Sequence, residues 1–244
     1  MTRSPGRSTV GVALVGGVAG SCLGSYWGTA LVAWRPMQHL LRGTMISQVP
    51  TVAPMIGLTF DDGPDAEWTE RFVDALGDAR ATFFVLGHKV RHRPDLLRMI
   101  VDRGHEVACH GDQHRKLTRR TPRGAKSDLR AAHEAITSTG ITPRFFRPPH
   151  GLFTLTAWQE ARRLGMQPAL WSHSGGDWER TATPTSVSRR VLGAAAPGTV
   201  FLLHDSGGWP GRPATTLAAL PSILEGLQSR GLTPVTLSEL VRTV

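Results

Sequence analysis

Two histidines four positions apart, His110 and His114, and two adjacent acids, Asp61 and Asp62, are the residues of this chain best suited to chemistry on a metal. A spacing of four lets one helical turn or a tight loop aim both imidazoles at one point. Two histidines and one carboxylate leave coordination positions open for water, the donor arrangement of a catalytic zinc-type site, and Asp62 can supply the carboxylate. No thiolate joins the set, because Cys109 points away from His110 if the strand pleat continues, so zinc or another borderline divalent ion suits it. Adjacent acids face opposite sides of a regular strand, but Gly63-Pro64 breaks the pleat and lets both reach one site. With one acid on the cation, the other is free to take a proton from water, and the cation keeps it ionised. Taken singly, the histidine pair reads as a solvated helix face and the acid pair as a helix cap.

Further polar residues join them. His204 follows the apolar run 200–203, and pairing with a carboxylate such as Asp177 would hold it protonated and oriented as a general acid. Arg147, just before Pro148-Pro149, is placed to orient Asp61 rather than to meet bulk solvent.

These residues share a position relative to the elements that carry them. β-type runs at residues 55–60, 81–86, 105–109, 144–147, 168–171, 199–204 and 233–236 alternate with helical stretches. Asp61 and Asp62 end the first run, His110 and His114 follow the third, and Arg147 ends the fourth. Asp177 lies shortly beyond the fifth, and His204 with Asp205 ends the sixth. All are at C-terminal strand ends, the face where barrel enzymes place their chemistry. Seven strands separated by helices predict an α/β fold, a parallel sheet closed or nearly closed into a barrel. The alternative, an open doubly wound sheet, lacks a glycine-rich phosphate loop after the first strand.

Composition sets the wider limits. The chain has 244 residues, is 40% hydrophobic and 19% charged, and has a formal net charge of +9. That is an ordinary globular balance and excludes a disordered or fibrous chain. Only Lys89, Lys116 and Lys126 among the basic residues are lysine, yet no cluster of arginines with aromatics marks a nucleic-acid surface. Cys22 and Cys109 are too few for a disulfide framework. Residues 8–34 carry no charge and are long enough to span a membrane, with Arg3 and Arg7 before them and Arg35 after. The expected organisation is a membrane anchor or signal segment at 1–34, a Pro- and Gly-containing linker at 35–54 and a catalytic domain at 55–244. An anchor leaves that domain on the membrane's extracytoplasmic side; a cleaved signal peptide secretes it.

The motifs, taken in order, resemble the polysaccharide deacetylases with the NodB homology domain, carbohydrate esterase family 4. Thr59-Phe60-Asp61-Asp62-Gly63-Pro64 matches the first motif and His110-Gly111-Asp112-Gln113-His114 the second. Arg144-Phe145-Phe146-Arg147-Pro148-Pro149-His150-Gly151 matches the third, Ser174-Gly175-Gly176-Asp177-Trp178 the fourth and Leu202-Leu203-His204-Asp205 the fifth. The resemblance covers about residues 55–244 and implies a distorted, incomplete (β/α) barrel of about seven parallel strands. It implies that Asp61 is the catalytic base, oriented by Arg147, and that Asp62, His110 and His114 hold one divalent ion, Zn2+ first and Co2+ or another divalent ion otherwise. It further implies that the His150 backbone N–H helps hold the oxyanion, that Trp178 and Leu202 wall an acetyl pocket, and that Asp177 tunes the acid His204. The implied activity is removal of N-acetyl groups from an N-acetylglucosamine-type glycan, such as a cell-envelope polymer. O-deacetylation of a glycan such as xylan, or glycan binding without catalysis, are the alternatives. Two positions depart from the family pattern: Gly111 stands where a serine or threonine is usual, and Ser174 where the fourth motif begins with aspartate.

Overall fold

Alternate side chains of a strand face opposite ways, and that parity divides this molecule into an outer and an inner layer. The computed structural model describes residues 44–244. The expected anchor at 1–34 and the first part of the expected linker lie outside the described residues. Among the described residues, no helix is long and apolar enough to cross a membrane.

Among the described residues, eight parallel strands build the sheet: β1 (Met55–Asp61), β2 (Thr82–Val85), β3 (Glu106–Cys109), β4 (Phe145–Phe146), β5 (Gln167–Pro168), β6 (His173–Ser174), β7 (Val200–His204) and β8 (Thr233–Val235). Seven run in the order β5-β4-β3-β2-β1-β7-β6, and β8 pairs with the start of β1. The two ends of that path, β5 and β6, are not paired with each other, so the barrel is incomplete, as expected. Among the described residues the helices are α1 (Thr69–Leu76), α2 (Gly87–His92), α3 (Pro94–Asp102), α4 (Pro122–Thr137), α5 (Leu155–Arg163), α6 (Pro184–Ala194), α7 (Arg212–Gln228) and α8 (Leu237–Val241).

Ile56, Leu58 and Phe60 of β1, Phe83 and Val85 of β2, and Phe201 and Leu203 of β7 face outward and form the main core with the helices. Phe72, Val73 and Leu76 of α1 and Leu220, Ile223 and Leu227 of α7 cover them. The intervening residues face inward: Phe84, Ala108, Phe145, Ala169, Val200 and Val235 make a second, smaller core inside the barrel. Continuing the same parity to the strand ends leaves Asp61, His110, Arg147 and His204 on the inner side. Cys109 belongs to the outer core, which burial makes inert, its thiol pushed up to about 12.

Three features differ from the sequence expectation. The fifth run pairs only over Gln167–Pro168, and β6 follows it without an intervening helix, a two-residue strand too short to leave a periodic signal. The short helices α2 and α8 were not expected. α8 is opened by a capping box in which Thr236 and Glu239 bond each other's backbone N–H. Most consequential, residues 45–49 are packed rather than linking. Ile46 bridges Ala169, just after β5, and Gln48 bridges Thr199, just before β7, so the segment crosses the open side of the barrel. Met45, Ile46 and Val49 are buried, the latter two in the inner core with Leu237 and Leu240 of α8. The Pro and Gly residues nearby suggested a linker, but apolar side chains beside an unclosed seam gain more by filling it.

Candidate active site

The register of two neighbouring strands sets the site. Asp61 pairs with His204 across β1 and β7, so both side chains rise at the same height from the same face. Asp62 reaches that face by a different route. Its backbone is left-handed, φ 78°, so the pleat breaks at Asp62 itself, one residue before Gly63-Pro64. Aspartate is among the few non-glycine residues that tolerate this conformation.

His110 and His114 are brought together by a loop, not a helical turn, with Gly111 at φ 81° and His114 at φ 51°. Their ring centroids are 5.4 Å apart. The Gly111 position has no hydroxyl to brace the loop. Asp128 does so instead, accepting the Asp112 backbone N–H at 2.9 Å, while Arg91 pairs with the Asp112 carboxylate at 2.8 Å. His110 Nδ1 donates to the Arg147 carbonyl at 2.9 Å, which leaves Nε2 with its lone pair facing Asp62.

Asp62 Oδ1 lies 3.0 Å from His114 Nε2 and 3.5 Å from His110 Nε2, yet it is buried without a well-directed hydrogen bond. The three donors all lie within 4.8 Å of one another. Tetrahedral donors about 2.1 Å from a small cation are about 3.4 Å apart, so these three fit one divalent ion. Electrostatics agrees. Burial opposes ionisation of Asp62, but the His110 and His114 imidazoles hold its carboxyl well below the usual range. Burial likewise opposes charge on His110, and the Asp61 and Asp62 carboxylates raise its pKa nonetheless. The point between them favours positive charge.

Asp61 is buried and held by Arg147, whose Nη1 donates to Asp61 Oδ1 at 2.6 Å and to Thr59 Oγ1 at 2.8 Å. Arg147 Nη2 donates to the Leu170 carbonyl at 2.9 Å, and the guanidinium lies 3.9 Å above the Phe84 ring. With that residue fully buried, Asp61 can present only Oδ2 to the site, 3.6 Å from His110 Nε2. On the opposite wall, Asp177 is fixed by three donors: the His204 backbone N–H at 2.8 Å, His204 Nδ1 at 2.9 Å and Thr216 Oγ1 at 2.9 Å. Burial would neutralise Asp177, but the His204 imidazole and the Thr216 hydroxyl keep its pKa below the ordinary value. His204 therefore turns Nε2 away from Asp177. Ser174, in place of the family aspartate, accepts the Gly176 N–H at 3.0 Å and so shapes the turn that delivers Asp177.

These residues floor and wall a cleft of about 830 Å³ whose lining includes Asp61, Asp62, His110, His114, His150 and His204. Trp178 and Leu202 line it too, and the Trp178 ring meets His204 edge-on at 5.8 Å. His150 has left-handed backbone, φ 60°, and its ring packs on His114 at 4.7 Å. Burial, aided by nearby positive groups, takes its imidazole down to about 4. Every residue singled out from the sequence thus meets at this one place, with Arg147 and Asp177 buried behind the groups they hold.

The structure adds partners that the sequence reading left out. Arg212, at the start of α7, donates from Nη2 to Asp62 Oδ2 and to the Ser206 carbonyl, each at 2.8 Å. Lys89 of α2 donates to the Asp62 carbonyl at 2.8 Å. Trp171 lines the cleft against Gly151, where a Cβ would come within 2.7 Å of the indole. Parity could have found Trp171, which lies two residues beyond the inward Ala169; nothing local marks Arg212 or Lys89.

Comparison with known proteins places this arrangement among relatives. Residues 48–169 match the family model described as polysaccharide deacetylase. The chain is 32% identical over 204 residues to a peptidoglycan-N-acetylglucosamine deacetylase of Bacillus cereus, covering 82% of this chain and 94% of the relative. It is 37% identical over 187 residues to a chitooligosaccharide deacetylase of Bradyrhizobium, covering 71% and 84% respectively. The solved structure of a family 4 carbohydrate esterase from Streptomyces lividans, in complex with acetate, superposes with a TM-score of 0.68 at 33% identity, over 76% of this chain and 92% of that one.

Proposed function

Because this chain belongs to the polysaccharide deacetylase family, we propose that it is a metal-dependent hydrolase removing N-acetyl groups from an N-acetylated polysaccharide or oligosaccharide, with the acetamide of an N-acetylglucosamine-type sugar as the reacting group. One observation carries the reading. The Asp62–His110–His114 donor set opens into the same cleft as an Arg147-held carboxylate and an Asp177-held imidazole.

Asp62, His110 and His114 would hold one divalent ion, with zinc the choice that their N and O donors suit best. When bound, such an ion lowers the pKa of water and polarises the acyl oxygen. Asp61 is the general base: Arg147 occupies its Oδ1, so Oδ2 takes the proton of the attacking water. His150 lines the cleft, and its backbone N–H is the proposed donor to the developing oxyanion, a device worth about 3–4 kcal/mol in other acyl-transfer enzymes. His204, with Nδ1 committed to Asp177, delivers a proton from Nε2 to the departing amine. Trp178 and Leu202 enclose the acetyl methyl group.

The apolar segment at 8–34 is proposed to tether the catalytic domain on the outer side of a membrane, where an envelope glycan is within reach. If the segment is cleaved, the domain is secreted to the same side.

The test is acetate release by the full chain from an N-acetylglucosamine oligomer and from acetylated xylan, with and without added divalent metal. Metal-dependent release from the oligomer is the expected result. Release from xylan alone makes the chain an O-acetyl esterase, and glycan binding without release from either makes it a binding protein.

A further inference from the structure

Trp209 is nearly half exposed, 47%, on the loop between β7 and α7, and it lines the cleft that holds Asp61, Asp62 and His204. An indole left open to water on a catalytic cleft would be of no consequence if it hung on a mobile tip, but this one is fixed. Its Nε1–H donates to the Trp178 carbonyl at 3.2 Å, and the Arg180 guanidinium lies 4.0 Å from its ring centroid. The loop is wound through Gly207, Gly208 and Gly211, all with positive φ. Gly208 seats against Arg212, where a Cβ would come within 2.3 Å of the guanidinium. Trp209 is therefore tied to the arginine that also grips Asp62.

We propose that Trp209, backed on one face by Arg180, offers its other face as a stacking subsite for the pyranose ring next to the sugar being deacetylated, an inference that rests on the glycan-deacetylase reading of the cleft. The face of an indole is electron-rich, and the C–H groups on the face of a β-linked pyranose carry partial positive charge, so the two attract. The Trp209 N–H is engaged by Trp178 and one face of the ring is covered by Arg180, so the opposite face is what remains to offer a ligand. Arg180, stacked on one face, backs the indole and holds its plane in place. The cleft, at about 830 Å³, is larger than one acetamido sugar fills. Trp178 flanks His204, where the acetyl group reacts, and Trp209, bonded to the Trp178 backbone, lines the same cleft. Recognition through a second ring makes the enzyme prefer a chain to a monosaccharide.

The experiment measures binding by calorimetry and acetate release separately, with the full chain and its Trp209→Ala and Trp209→Phe variants. The ligands are the N-acetylglucosamine tetramer and the monosaccharide. Trp209→Ala should weaken tetramer binding roughly 2- to 10-fold, the range of one aromatic contact. The loss should be smaller for the monosaccharide, and Trp209→Phe should recover most of the tetramer affinity. Equal tetramer affinity in native and Trp209→Ala chains, equal losses for tetramer and monosaccharide, or no tetramer binding by the native chain overturns the subsite. A tetramer-specific loss in a chain that releases no acetate keeps the subsite and overturns the deacetylase reading alone.

Discussion

Arg212 Nη2 stands 2.8 Å from Asp62 Oδ2, while Oδ1 of the same carboxylate faces His110 and His114. In the proposed metal site one oxygen is thereby left for the cation while the other is held by the protein. The same guanidinium bonds the Ser206 carbonyl, so the loop after β7 and the turn after β1 are fastened through one side chain. Replacing Arg212 with Ala should weaken divalent-metal affinity about 10- to 100-fold, the usual cost of losing a partner behind a ligand. Loss of a positive charge near the ion acts in the opposite sense, but a carboxylate free to rotate no longer aims Oδ1 at the histidines. A competition titration of zinc against a chelator measures the effect, and unchanged affinity would refute the positioning role.

The two adjacent acids should separate cleanly. Asp61→Asn keeps an acceptor for Arg147 Nη1 but removes the base, so turnover should fall about 10²- to 10⁴-fold while metal stays bound. Asp62→Asn, like His110→Ala or His114→Ala, should lose metal, and excess metal should restore part of the rate in the Asn variant. Elemental analysis beside kinetics decides: metal lost from Asp61→Asn and kept by Asp62→Asn would exchange the two roles. Asp61→Asn carries a further consequence. Arg147 is fully buried, and leaving it without its anion should cost about 3–5 kcal/mol of stability, readable as a lower denaturation midpoint.

The site was more legible in the sequence than the details of the fold that holds it. Asp61, His110, Arg147 and His204 could be placed because each ends an apolar run, and strand parity then assigns a side. Asp62 was placed by its neighbours, although the break falls at its own left-handed backbone rather than at Gly63-Pro64. What stayed hidden depends on contacts distant in sequence. Arg212 meets Asp62 across 150 positions, and in the chain it reads only as a basic residue near a helix start. The pairing of Ile46 with Ala169 is equally invisible, because a single bridge leaves no periodic pattern. β6, two residues long, gave no signal for the same reason.

That bridge has a measurable consequence. A chain beginning at residue 55 leaves open the seam that residues 45–49 fill. It strips Ile46 and Val49 from the inner core, each worth about 1.5–3 kcal/mol when fully buried. It should unfold at markedly lower denaturant than a chain beginning at residue 44. Equal midpoints would mean that the segment contributes nothing and that 35–54 behaves as linker throughout.

Asp205, next to the proposed acid, predicts a pH dependence of stability opposite to that of its neighbours. It is fully buried, accepts the Thr69 hydroxyl at 2.7 Å through Oδ2, and has no hydrogen-bond partner at Oδ1. Burial raises its carboxyl to about 7, against the hydrogen bond from Thr69 and the charge of Lys89, which lower it. The folded state therefore keeps a proton that the unfolded chain has lost above its ordinary value near 3.8, and stability falls as pH rises between those values. Asp62 and Asp177, both depressed, act the other way: their contributions are present above the ordinary carboxylate range and are lost as pH falls through their folded values. Asp205→Asn isolates the first effect, since an amide cannot ionise and still accepts from Thr69. The raised carboxyl corresponds to at most about 4 kcal/mol across the window. Urea unfolding of native and Asp205→Asn chains from about pH 4 to pH 8 should show the variant gaining on the native protein as pH rises, levelling off above about 7. Curves that stay parallel across that range would mean that Asp205 is ionised in the folded state.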